Sequence, residues 1–387
     1  MSKAPTLRQC ASFSWIQHFA NTAVGIVLGF GSQATLWKSL TSWNILEDGK
    51  SVVEGIQFFW WGTCVATYGI FVIMFTTKAV LYPDVFKAEV KHPVRFNFFC
   101  GPIIVLCMLM IAMPPAFGQQ IVVLRIMWTT AFFCQSAASL VIYHRWLVSS
   151  NVHETAASPY LLSLISWFLL SVAGTPAHID SAGGLPLREM CFGVGSFFAV
   201  FTYPFILSGI YDGRTQAGTP ASFLLIAPPS VAGIGIIGIN GGYHNAAGSL
   251  FGCVLFLFLL LVRMGPQILA PPRLLGVNWA YIFPQAAMSI LAIKIAEHFK
   301  STAMNILALL LSSCATLVIL IVAIRLGIHG WQVIRGTDVW QDPLVAAVSH
   351  QGTHCVEGTQ ADGQRVVGST FGIQVVAHQR DVPLLNA

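Results

Sequence analysis

Residues 277–298 read VNWAYIFPQAAMSILAIKIAEH, from Val277 to His298. The stretch is about as long as one bilayer crossing. Its middle is apolar, and near one end an aromatic is followed by a helix breaker, Phe283–Pro284. A proline inside a helix removes a backbone hydrogen bond. Lipid cannot satisfy the freed carbonyl, so such a break belongs where protein or a water-lined cavity surrounds it. A large uncharged ring beside that break suits a plug in a narrow path, with Pro284 as the kink that places it. The rest of the chain reads as scaffolding around such a path.

The whole chain shares this apolar character. Of its 387 residues 55% are hydrophobic and only 9% charged, with a mean hydropathy of +0.71; soluble domains carry roughly 25% charged residues. The composition excludes a soluble domain and predicts an integral membrane protein. Runs of about 20 residues, the length that a ~30 Å hydrocarbon core requires, predict ten spans. They fall near 14–37, 54–77, 97–116, 122–147, 159–178, 189–211, 221–240, 246–264, 277–298 and 302–328. Residues 1–13 are then a short cytoplasmic lead, 14–330 the membrane domain, and 331–387 a polar cytoplasmic tail expected to be mostly disordered. With the N-terminus inside, Lys38, Lys50, Arg125, Arg188, Lys294 and Lys300 fall on the outer side, and the rest of the 20 Lys and Arg fall on the inner side. That bias follows the positive-inside rule and predicts both termini in the cytoplasm. The short polar N-terminus carries no cleavable signal pattern, and Lys78 at the end of the second span reads as a snorkelling anchor.

Prolines divide the spans into two groups. Pro102, Pro176, Pro228–Pro229 and Pro284 fall in the third, fifth, seventh and ninth. The second, fourth, eighth and tenth have none, and the sixth has only Pro204. The first has Gly25, Gly29 and Gly31 instead, the first two spaced for close helix approach. Intact helices can face lipid and broken ones must be shielded. The prediction is an all-α membrane protein: ten transmembrane helices as five hairpins in a quasi-five-fold ring around a central pore. The odd helices form the inner layer, kinked at Pro102, Pro228 and Pro284.

Enzymatic chemistry finds no foothold. The nine cysteines are scattered through apolar runs with no Cys-x-x-Cys pair, as packing residues are. Gly233-Ile-Gly-Ile-Ile-Gly238 matches a dinucleotide fingerprint by letter, but it lies within an apolar span, with no strand before it and no acidic residue at the required distance. His153–Glu154 begins a zinc-protease pattern, yet Ala157 stands where the second histidine belongs. No catalytic residue, metal site, cofactor or nucleic-acid partner is expected.

Four stretches point to a family. His92-Pro-Val-Arg-Phe-Asn-Phe-Phe99 resembles the start of the third helix in the slow-type anion channels of plant guard cells, members of the tellurite-resistance/dicarboxylate transporter family. Ala112-Met-Pro-Pro-Ala-Phe117, Ile226-Ala-Pro-Pro-Ser-Val-Ala232, and Trp279-Ala-Tyr-Ile-Phe-Pro284 continuing to Ile293-Lys-Ile-Ala-Glu297 agree in order and spacing, so the resemblance covers roughly residues 14–330. It implies five hairpins around a pore, a homotrimer with one pore per subunit, and a pore-occluding phenylalanine that falls on Phe283. Two features depart from the family. The fifth helix, Tyr160–Ala177, fits its pattern poorly, and the long N-terminal region of the guard-cell members is missing, which argues against kinase control of their kind. A regulatory kinase would instead act on the tail, at Ser349, Thr353, Ser369 or Thr370.

The remaining candidates are polar. His92 and Arg95 sit at the cytoplasmic mouth, where a basic rim either concentrates anions or anchors to lipid phosphates. Asn97, just inside, is placed to donate to a partly dehydrated anion or to cap a helix. Phe98 and Phe99 are further candidates for the lining. Lys294 and Glu297, three apart on one helix face, read as a structural ion pair rather than an ion site. The path therefore carries almost no fixed charge. A dicarboxylate carrier wants paired cations at depth, whereas a channel needs weak sites that release the ion. Positive helix ends at the proline breaks supply a diffuse attraction. The reading is a passive plasma-membrane channel for monovalent anions, chloride and nitrate, closed by a phenylalanine gate. Its partners are inorganic or small organic anions and membrane lipid. The alternative is a secondary transporter of malate, sulfite or another small oxyanion on the same fold; a sensor signalling through its tail would pass no ions at all.

Overall fold

The computed structural model describes residues 14–43, 49–117, 120–148, 158–180, 186–211, 220–263 and 279–334. Among them there is no strand, and ten helices exceed ten residues. In chain order these are α1 (Val24–Thr41), α2 (Lys50–Leu81), α3 (Gly101–Ile111), α4 (Ile121–Val148), α5 (Leu161–Ala173), α6 (Leu187–Tyr211), α7 (Ala227–Ile239), α8 (Asn245–Arg263), α9 (Ile282–Phe299) and α10 (Thr302–Ile334). Seven stretches are long and apolar enough to cross a membrane. An eighth is added if the surface helix Pro83–Lys91 and the segment Arg95–Ile111, bent by 102° to each other, count as one crossing. The short α5 and the more polar α1, with Ser32, Gln33, Thr35 and Lys38, fall outside that set. The segments 1–13 and 335–387, with the four tail hydroxyls, lie outside the described residues. α10 runs to Ile334, past the boundary expected at residue 330.

The helices form two layers. α1 packs on α3, α3 on α5, α5 on α7, α7 on α9, and α9 returns to α1; each also packs on the even helix that follows it. Burial separates the layers. Every residue of α5 but Val172 is buried, and so are most residues of α9. α2 buries only Val53, Gln57, Trp60, Cys64, Phe71 and Lys78 and exposes Phe58, Phe59, Ile73 and Val80. An apolar face turned outward is stable only in an apolar solvent.

The odd helices share a feature that the sequence reading placed differently. Each is preceded by a 3₁₀ turn: Asn21–Ala23, Arg95–Cys100, Ser158–Tyr160, Pro220–Ile226 and Trp279–Tyr281. Pro102, Pro228 and Pro284 therefore stand in the first turn of α3, α7 and α9, not as kinks inside them. Proline lacks an N–H and its ring crowds the carbonyl four residues back. The preceding turn closes by the tighter i→i+3 pattern instead, and the first α-turn, where that N–H would have no partner anyway, accepts proline at little cost. Pro176 lies beyond the end of α5, and an interior proline occurs in the outer helix α6, at Pro204.

Close approach depends on missing side chains. Gly29 faces the Trp279 ring, and Gly31 faces Met108 and Cys64. A methyl group on Gly101 would stand 2.6 Å from Val24 Cγ1 and 2.9 Å from Cγ2. Gly101→Ala is therefore expected to push α1 and α3 apart and cost about 1–3 kcal/mol, read as a lower Tm in detergent. Gly55→Ala on α2, where a Cβ meets nothing within 4 Å, leaves Tm unchanged or slightly raised.

Lys78 corrects its expected role. Its side chain is fully buried rather than snorkelling, with Nζ 3.1 Å from Glu89 Oε1 and donating to Phe19 O at 2.7 Å. The helix Pro83–Lys91 folds back over the end of α2 and brings the carboxylate to it.

A candidate pore site inside the inner helices

A cavity of about 330 Å³ lies among the inner helices. α1 lines it with Ser32, Thr35 and Ser39, and α3 with Met108 and Ile111. α5 contributes Leu169 and Val172, followed by Thr175 and Pro176 just beyond its end. α7 adds Val231, Ile234, Ile237 and Gly238, and α9 adds Phe283, Ala287, Ile290 and Lys294. The steps of three and four residues place each set on one face of its helix. Among the described residues no even helix contributes, and Lys294 is the one ionisable side chain in the wall.

Phe283, at the second position of α9, is 4% exposed and packs into the main core. Eleven residues separate it from Lys294, about 16 Å along a helix. Gly101 at the start of α3 meets Val24 at the start of α1, Ser42 just past α1 reaches Glu297 near the end of α9, and Gly238 near the end of α7 faces Thr175 just past α5, so the odd helices run parallel. Phe283 marks the N-terminal end of the wall. Ser39, Ile111, Thr175, Gly238 and Lys294 mark the C-terminal end. Helix C-termini carry partial negative charge, which makes the cations there important. Lys294 Nζ is 2.9 Å from Glu297 Oε2, and Ser42 Oγ donates to Glu297 Oε1 at 3.5 Å, so the pair also joins α9 to the end of α1.

His92, Arg95 and Asn97 gather at the start of the second hairpin, ahead of α3 and apart from the cavity wall. The Arg95 N–H donates to His92 Nδ1 at 3.3 Å, Arg95 O accepts from Asn21 Nδ2 at 2.8 Å, and Arg95 Nη1 lies 3.5 Å from Glu89 Oε1. Asn97 is buried, and its Nδ2 donates to Pro93 O at 2.9 Å and Val94 O at 3.3 Å. That amide group closes its own turn rather than facing the cavity. Phe98 and Phe99 are absent from the wall; Phe99 packs edge-on against Phe75 and Phe86.

Three features escaped the sequence reading. The α1 hydroxyls form one: Ser32 Oγ donates to Gly29 O at 2.7 Å, Thr35 Oγ1 to Ser32 O at 2.8 Å, and Ser39 Oγ to Thr35 O at 3.1 Å. Their spacing of three and four within an apolar span was the available signal. The other two, Glu89 and Arg188, acquire their settings only from tertiary contacts.

Comparison with known proteins agrees with this arrangement. The family described as SLAC1, voltage-dependent anion channel, matches residues 18–326. From Arabidopsis thaliana, the S-type anion channel SLAH3 is 25% identical over 333 residues, 84% of this chain and 50% of that protein. The S-type anion channel SLAH2 is 23% identical over 345 residues, 87% of this chain and 64% of that protein. The guard cell S-type anion channel SLAC1 is 25% identical over 320 residues, 81% of this chain and 57% of that protein. The chain thus spans between half and just under two thirds of the length of these relatives. The family match takes in nine of the ten helices whole and most of α10, and the chain is an integral membrane protein belonging to the voltage-dependent anion channel family, a family of channels rather than enzymes.

Proposed function

We propose that the protein is a passive channel for small monovalent anions, chloride and nitrate, whose path follows the axis of the five inner helices and is closed by Phe283. The observation that carries this reading is the cavity itself. All five inner helices supply its wall, an aromatic ring stands at one end, and almost no fixed charge lies between. A wall of Leu, Ile, Val and Met holds an anion weakly, as rapid release requires. The α1 hydroxyls donate to their own backbone at rest, and give a partly dehydrated ion a polar side when they rotate that proton toward the path. The relatives' names support an anion as the permeant species.

In this reading the ten helices are ten crossings in a quasi-five-fold ring, and Pro284, Pro102 and Pro228 fix where the inner helices begin. The N-terminal end of the ring faces the cytoplasm, where His92 and Arg95 add positive potential, and both termini are cytoplasmic. The protein sits in the plasma membrane as a homotrimer with one pore per subunit.

Whole-cell recording in oocytes tests the reading. Current should reverse near the anion equilibrium potential and move by about 59 mV for each tenfold change in external chloride or nitrate. Surface-expressed protein that passes no current, while taking up malate in a saturable, pH-dependent way, would make it a carrier instead.

A further inference from the structure

We propose that the C-terminal end of the cavity contains an anion station formed by Arg188 Nη2 and Thr175 Oγ1, in a niche left open by Gly238, which takes one small monovalent anion such as chloride or nitrate. This deepens the channel reading and rests on it.

Arg188 belongs to α6, an outer helix, yet its side chain turns inward between α5 and α7 and is 12% exposed. Three contacts hold it. Nε donates to Ser171 O at 3.1 Å, Nη1 lies 3.4 Å from Asp180 Oδ2, and the main-chain N–H donates to Asp180 Oδ1 at 3.3 Å. The remaining nitrogen, Nη2, is buried and meets no acceptor among the described residues. A buried charged donor without a partner is costly, and native structures rarely leave one without a ligand or another reason.

Gly238 shows where a ligand fits. A Cβ on it would stand 3.2 Å from Nη2 and 3.7 Å from Thr175 Oγ1, with no other atom of the described residues outside its own stretch of helix within 4 Å. One charged and one neutral donor thus converge on a space that any larger residue would fill. Gly238 and Thr175 both line the cavity, so the niche adjoins the ion's path. The ion itself sits in the adjoining cavity, because the Cβ position is only a bond length from the Gly238 Cα, and a single guanidinium answers one negative charge rather than two.

Electrostatics supplies the reason for such a station. The inner helices converge on this end with their C-termini, whose partial negative charge opposes an anion. Lys294 answers it only in part, because Glu297 lies 2.9 Å away. Asp180, the carboxylate paired with Arg188, is more distant at 3.4 Å and its side chain is 36% exposed, so water screens it. Arg188 is the cation with charge left to offer.

The test uses full-length protein carrying Phe283→Ala, so that current is large, with conductance followed over a wide range of symmetric chloride. Arg188→Gln and Gly238→Ala should each raise the half-saturating chloride concentration about tenfold, the effect of a 1.4 kcal/mol loss. Their conductances should converge with the parent at high chloride. Gly238→Ala keeps the charge and fills the niche. If Arg188→Gln shifts the curve and Gly238→Ala does not, the ion feels a distant field and the seated site is wrong. Unchanged curves in both surface-expressed variants make Arg188 a strut. In parallel, chloride should raise the Tm of the detergent-purified parent by mass action and leave both variants unmoved. Should Phe283→Ala pass no current, the channel reading fails while this thermal shift still decides the station: its loss in both variants upholds the site, and its persistence or its absence in the parent overturns it.

Discussion

If Phe283 is the proposed gate, Phe283→Ala is expected to raise the resting anion current at least about tenfold, the consequence of removing a barrier of only about 1.4 kcal/mol. The ring is 4% exposed at one end of the wall, and the wall's one ionisable side chain among the described residues, Lys294, stands at the other end, too far away to act as a lock. Closure then rests on filling the path and excluding water from it. A methyl group does neither. Phe283→Leu retains part of the bulk and should give an intermediate current. Phe168 separates gating from packing, since it is equally buried, on α5, but absent from the cavity wall. Phe168→Ala should cost about 3–5 kcal/mol and lower Tm without raising current. Equal currents from the two alanine variants would remove Phe283 from the gate.

The largest loss of stability is expected at Glu89. Its Oε1 receives Lys78 Nζ at 3.1 Å, Arg95 Nη1 at 3.5 Å and the Asn21 N–H at 3.3 Å, with Lys78 and Glu89 both completely buried. Taking one charge from a buried pair strands the other, at about 3–5 kcal/mol. Glu89→Gln should therefore lower Tm steeply and reduce the amount of protein reaching the surface. Lys78→Met combined with Glu89→Gln should recover part of that loss, because no buried cation is left without its counterion. If the single variant melts like the parent, the pair contributes little and Lys78 finds water there.

The layering was legible because lipid imposes a simple rule on backbone breaks. Pro102, Pro228 and Pro284 marked inner helices correctly even though each begins its helix rather than kinking it. The apolar run continues through the 3₁₀ turn and hides where the α-helix starts. Lys78 was misjudged, and Arg188 was counted only toward the outer charge, for a common reason. Both lie near the end of an apolar run, where position alone says interface, and both are turned inward by contacts with residues that are distant in space until the chain folds. Glu89 looked like one more charge in a basic connector. The hydroxyls of α1 did advertise themselves by spacing, but serine and threonine in membrane helices so often bond their own backbone that the pattern carried no weight alone.

The return of α9 to α1 has a consequence for how the protein is made. The inner wall is closed by the first and the ninth of its helices, and Gln33 of α1 donates a hydrogen bond to Ala315 O on α10 at 3.2 Å. Ribosomes add about 5–20 residues per second, so α1, though soon joined by α2 and α3, must wait on the order of tens of seconds in the bilayer before its neighbours α9 and α10 exist. During that interval its glutamine and hydroxyl stripe face lipid or a helper protein. A nascent chain halted before α9 should therefore be a strong client of membrane chaperones and quality control, however well its early hairpins have inserted.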